Sequence, residues 1–178
     1  MTIRLVSIIT FFILLQLNAI GQSKFSRKTF SGYSEKIKSQ NFKNFYKISD
    51  SLFRSEQPKT HSKEELQRLG IQSILNLRDD LSDSSLIKAN EFYLYNVKMK
   101  ANNIESQKID EVLQIIKTAP KPLLIHCKHG SDRTGLVVAI YRIREQNWTK
   151  EMAIFEIKKG GFGFHDKYIN IPKFIKSY

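Results

Sequence analysis

Polar and apolar positions in this chain fall into two rhythms, one of strands and one of helices. Tyr46–Ile48 and Leu52–Arg54 read as short strands around a Ser49-Asp50-Ser51 turn. Ser62-Lys63-Glu64-Glu65 has the spacing of a capping box, and the helix it opens is expected to stop at Gly70. Ile71–Leu77 reads as a buried strand. The Asp-rich stretch with Asp79, Asp80 and Asp83 leads towards a short helix over 84–91, and Phe92–Val97 is a further strand. Ile109, Val112, Leu113, Ile115 and Ile116 recur at helical spacing, which predicts a helix over 106–118 closed by Pro120 and Pro122. Leu123–His126 is a short apolar strand. Gly135–Gln146 and Thr149–Lys159 read as helices, the second ended by Gly160-Gly161, with a last short helix near 170–176. Strands alternating with helices predict an α/β class: a three-layer α/β/α fold with a mostly parallel central sheet.

The start of the chain breaks this rhythm. Residues 1–23 carry one charge, Arg4, followed by the apolar run Leu5–Leu17 and the small residues Ala19 and Gly21. That is the pattern of a secretory signal peptide over 1–21, which places the protein outside the cytoplasm, secreted or periplasmic. An uncleaved membrane anchor is the alternative, but the run is shorter than the roughly 20 residues a spanning helix needs. Residues 22–45 form a basic, aromatic lead-in, and 46–178 the folded domain.

Composition narrows the chemistry. The chain has 178 residues, 41% of them hydrophobic, with 12 Phe and 7 Tyr, which excludes a disordered chain. A single cysteine excludes an internal disulfide and any multi-cysteine metal cluster. The formal net charge of +12 favours an anionic partner. Much of that charge lies in 24–47, where Lys24, Arg27, Lys28, Lys36, Lys38, Lys43 and Lys47 stand against Glu35 alone. No base-reading motif accompanies them, so nucleic acid is not the expected partner; a solvated segment with docked aromatics is the plainer reading. Peripheral contact with anionic surfaces stays open, and a monomer is expected.

The chemistry concentrates in His126-Cys127-Lys128-His129-Gly130-Ser131-Asp132-Arg133-Thr134-Gly135, between an apolar strand and an apolar helix. A loop in that place aims backbone N–H groups at a point above the helix N-terminus, which is an anion site. Positive potential favours the thiolate, the nucleophilic form of cysteine. The Arg133 fork can hold two oxygens of a phosphate. Together they suggest phosphoryl transfer through a cysteinyl-phosphate. The bland alternatives are a buried structural Cys127, a satisfied core His126, and solvated Lys128 and His129. No metal ligand set and no cofactor are expected.

Cys127 and Arg133 form a C-x5-R signature, and the segment resembles the cysteine-based protein tyrosine and dual-specificity phosphatases, widest in their compact branch of bacteria, plants and fungi. Leu52-Phe53-Arg54-Ser55-Glu56-Gln57-Pro58 and Gly70-Ile71 through Asn76-Leu77-Arg78 agree with that branch, so the likeness covers about 45–165. The resemblance implies that Cys127 is the nucleophile, that Gly130, Ser131 and Arg133 with Lys128 and His129 cradle substrate, that Thr134 hydrogen-bonds the sulfur, and that His126 helps hold the thiolate. A phosphorylated protein or small phosphorylated molecule is the implied partner.

One part is missing. The family's general acid is an Asp about thirty residues before the cysteine. Val97–Glu105 holds none; Asn102 and Asn103 stand there instead, and an amide is no useful proton donor. Three repairs remain. Asp132 occupies the position of the acid in myotubularin-like phosphoinositide phosphatases. Glu105 lies on the right loop. Good leaving groups, such as aryl esters or the pyrophosphoryl groups of inositols, need no acid. Inositol phosphates or phosphoinositides are the second substrate class after phosphotyrosine proteins, supported by Lys128, His129, Asp132 and the basic surface. A phosphate-binding pseudophosphatase and a rhodanese-type sulfurtransferase are the competing classes.

Overall fold

The computed structural model describes residues 32–80, 83 and 91–178. The expected signal peptide and most of the expected 84–91 helix lie outside the described residues. Within them, one sheet has six strands: β1 (Glu35–Lys36), β2 (Tyr46–Ser49), β3 (Leu52–Ser55), β4 (Ser73–Asn76), β5 (Tyr93–Asn96) and β6 (Leu123–His126). Their order is β1-β2-β3-β6-β4-β5. The β1–β2 and β2–β3 pairs are antiparallel, while β3–β6, β6–β4 and β4–β5 are parallel. The helices are α1 (Lys63–Arg68), α2 (Ser106–Thr118), α3 (Asp132–Glu145), α4 (Lys150–Lys159) and α5 (Asn170–Ser177).

The three layers follow from the period-2 alternation of the strands. Phe53, Ile74 and Leu124 pack with Phe42, Phe45, Leu66 of α1, Ile71 and Phe92. Their sequence neighbours Leu52, Leu75, Leu123 and Ile125 pack in the larger core with Ile109 and Val112 of α2, Leu136 and Ile140 of α3, Ile157 of α4 and Ile171 of α5. β6 is flanked by parallel strands on both sides, and all four of its residues are buried. That placement explains its unbroken apolar run. It also brings the residue after His126 to the carboxyl ends of the parallel strands, where open α/β sheets bind ligands.

Three local expectations change. The capping box does not form. The Ser62 hydroxyl accepts from Lys59 N (3.1 Å) across a 3-10 turn, and Glu65 instead accepts from Ser39 Oγ (2.7 Å) and Asn41 Nδ2 (2.8 Å). α3 starts at Asp132, three residues ahead of Gly135, because the turn into the helix lies inside the cysteine loop. The sheet takes in residues ahead of 46: Glu35 and Lys36 pair with Lys47 and Tyr46, and Phe42 and Phe45 are buried. No helix among the described residues is long and apolar enough to cross a membrane.

Candidate active site

Cys127 leaves the carboxyl end of β6, 2% exposed, and the chain turns through Lys128–Ser131 into α3. Ser131 stands at the N-cap of α3 without capping it; its hydroxyl donates to Phe162 O (2.5 Å). The first-turn amides of α3 therefore have no side-chain cap and face the loop, the arrangement that attracts an anion. Gly130 gives the loop its turn at φ +70°, with its own edge against the Ser55 backbone. A Cβ there would come within 2.5 Å of Ser55 C and O. Asn44 ties the loop from outside, donating to His129 O (2.6 Å) and Phe162 O (3.0 Å).

His126 is fully buried, and Nε2 donates to Asp83 Oδ2 (2.8 Å). Asp83 in turn accepts from Gln57 Nε2 (2.7 Å) at its other oxygen. His126 is thus a satisfied core histidine and also the residue that fixes the strand end before Cys127. Arg133 lies at the first turn of α3. Its Nη1 donates to Met99 O (3.1 Å) and meets Asp79 Oδ1 at 3.3 Å. The nearby Asp80 carboxyl is held at about 2 by its hydrogen bond to Arg78. Thr134 is buried, and its Oγ1 bonds no described residue, the Cys127 sulfur included. A hydroxyl so placed is available to the sulfur or to an incoming oxygen.

Asp132 is 7% exposed and both its oxygens accept from one residue: Oδ1 from His165 N (3.0 Å), Oδ2 from His165 Nδ1 (2.8 Å). Lys128 and His129 stand exposed at the rim. Burial, then His165 and Lys128, hold the His129 imidazole below its usual value. Glu105 is exposed at the N-cap of α2, and Asn102 and Asn103 are exposed as well. Met99 anchors that loop by its contact with Arg133.

Three residues went unseen in the sequence reading of the site. Asp83 was one polar residue in an acidic loop, and His165 one of four histidines. Arg54 looked like part of a strand. It is 1% exposed, donates from Nη2 to Gly130 O (2.6 Å) and stacks 3.7 Å over the Phe162 ring. Its Nε and Nη1 have no partner among the described residues. Burial lowers its pKa to about 10, against the opposing pull of Glu156 and Cys127, so it stays charged at neutral pH. All four residues of β3 are buried, and an Arg inside that short strand was the available signal.

Comparison with known proteins agrees with this geometry. A profile of the tyrosine phosphatase family matches residues 40–178. The chain is 32% identical over 136 residues to the dual specificity protein phosphatase TpbA of Pseudomonas aeruginosa strain UCBPP-PA14, covering 75% of this chain and 62% of the relative's length. It is 31% identical over 129 residues to the inositol diphosphatase SIW14 of Saccharomyces cerevisiae, covering 67% of this chain and 46% of that one. The crystal structure of P. aeruginosa TpbA superposes with a TM-score of 0.75 at 29% identity, covering 83% of this chain and 91% of that chain. With the strand–loop–helix that holds Cys127 and Arg133 inside the matched span, the chain belongs to the tyrosine phosphatase family, in its compact dual-specificity-like form.

Proposed function

We propose that this chain is an exported cysteine-dependent phosphatase acting on phosphotyrosine in proteins. The observation that carries it is the juxtaposition of Cys127, at the carboxyl end of β6, with Arg133 in the first turn of the uncapped α3. The Cys127 thiolate attacks phosphorus and the bond to the leaving oxygen breaks, giving a cysteinyl-phosphate. Arg133 and the loop amides hold the equatorial oxygens as charge builds on them. Arg133 must turn from Asp79 and Met99 O to do so. The leaving oxygen takes its proton from the Asp132–His165 pair at the rim, since Glu105 faces solvent at the start of α2. Water then attacks the phosphocysteine and frees phosphate. A P. aeruginosa TpbA variant solved in complex with pTyr, at a TM-score of 0.75 and 28% identity, supports this substrate class. Export rests on the apolar run after Arg4.

A second reading has its own observation. A cleft of about 480 Å³ beside the loop is lined by Lys43, Lys59, His61, Lys128 and His129, against one acid, Glu56, whose carboxylate accepts from Lys43 N and Asn44 N. Such a rim suits a substrate with several phosphates, and an inositol pyrophosphate that gives its terminal phosphoryl group to Cys127 releases an inositol phosphate, a stabilised anion with little need of an acid. Phosphate release from a phosphotyrosine peptide and from an inositol pyrophosphate, with wild type and Cys127→Ser, separates the readings. Turnover of the peptide lost in Cys127→Ser supports the first. Turnover of the inositol substrate alone supports the second, and turnover of neither overturns both. A purified exported chain beginning at Gln22 would establish the cleavage.

A further inference from the structure

We propose that His129, Asp132 and His165 form a zinc site on the rim of the cysteine loop, separate from Cys127. One ligand atom from each of the three lies within 4.8 Å of the other two. Asp132 is fixed at the start of α3 and already holds His165 through Nδ1 at 2.8 Å. The two imidazoles lie with centroids 5.5 Å apart and their planes tilted by 56°. Both histidines are exposed while Asp132 is buried, so an ion reaches an anchored carboxylate from the solvent side through two movable side chains. A tetrahedral zinc ion needs donor separations of about 3.4 Å. The Asp132–His165 contact of 2.8 Å has to open to that span, and the exposed His129 has to swing inwards. Zinc takes the place of the proton shared between Nδ1 and Oδ2, which passes to water, so the zinc-loaded chain lacks the proton donor proposed above. Two imidazoles and a carboxylate are the donor set of open zinc sites, with the fourth position left for water or a phosphate oxygen.

Lys128 and Arg133 oppose a cation here, and a phosphate in the cradle offsets them. Zinc and phosphate are therefore expected to bind with positive coupling. The proposal stands on the three side chains and not on the phosphatase reading, so its test reads binding alone. The full chain is titrated with Zn²⁺ against a fluorescent chelator as wild type, Cys127→Ser, His129→Ala and His165→Ala, with folding checked by circular dichroism. One zinc per chain is expected in wild type and in Cys127→Ser, with affinity lowered about tenfold or more in each histidine variant. X-ray absorption of the loaded protein should show nitrogen and oxygen neighbours and no sulfur. Loss of the site in Cys127→Ser, a sulfur neighbour, or unchanged affinity in folded His129→Ala and His165→Ala overturns the proposal. Failure to release phosphate from any substrate would sink the phosphatase reading and leave this one intact.

Discussion

Asp83 holds His126 by a 2.8 Å hydrogen bond between two side chains that are almost wholly buried. The bond joins residues 43 positions apart and fixes the last residue of β6, next to the nucleophile. Truncating one partner leaves a buried donor unsatisfied, at about 1–3 kcal/mol. Asp83→Ala should lower the unfolding free energy by that amount, read from chemical denaturation. It should also lower kcat more than it raises KM, because the imidazole touches the strand end and not the substrate. Normal stability with normal kcat would show that the pair is idle.

Gly130 and Gly70 share φ +70° but differ in surroundings. A Cβ at Gly70 meets nothing within 4 Å, whereas at Gly130 it strikes the Ser55 backbone. Gly70→Ala should cost only the left-handed strain, about 1–2 kcal/mol. Gly130→Ala adds a clash that the backbone must relieve, for about 2–5 kcal/mol in all, and should abolish phosphate binding. Thermal melts and phosphate titration of the two variants test the contrast.

Asp79 competes with substrate for Arg133. Their contact is 3.3 Å and partly exposed, worth about 0.2–1 kcal/mol. Asp79→Asn should therefore tighten inorganic phosphate by up to about fivefold. Arg133→Lys keeps the charge but loses the fork, and kcat should fall about 10²–10³-fold. Calorimetry and steady-state kinetics report the two effects separately.

Arg142 and Glu156 form a buried bidentate pair between α3 and α4, at 2.6 and 2.8 Å. Glu156 also accepts from Ser34 N and Oγ, so it ties in the segment ahead of β1. Removing one partner strands a buried charge, and Glu156→Ala should cost about 3–5 kcal/mol. Glu156 also supports the charge on Arg54, so the stability effect is read by chemical denaturation and not from kcat.

The chemistry of the cysteine loop was legible because it is local. Three apolar residues, a cysteine, a glycine and an arginine within eleven positions (123–133) are enough to imply strand, turn and helix. The helix boundaries near 106–118 and 150–159 were legible for the same reason: their apolar spacing is internal to the segment. What supports the loop was not. Asp83, Arg54 and His165 reach it from 43, 76 and 33 residues away, and no pattern within one segment encodes such partners. The Ser62 capping box failed in the same way, since Glu65 found Ser39 and Asn41, 26 and 24 residues distant.

Arg54 has a consequence for ionic strength. Its guanidinium is enclosed beneath the loop, with its charge beyond the reach of counterions, whereas Lys43, Lys59 and Lys128 stand in solvent. Added salt screens the second group and not the first. The attraction for a single phosphate should then persist at high salt, while any preference for more highly charged substrates fades.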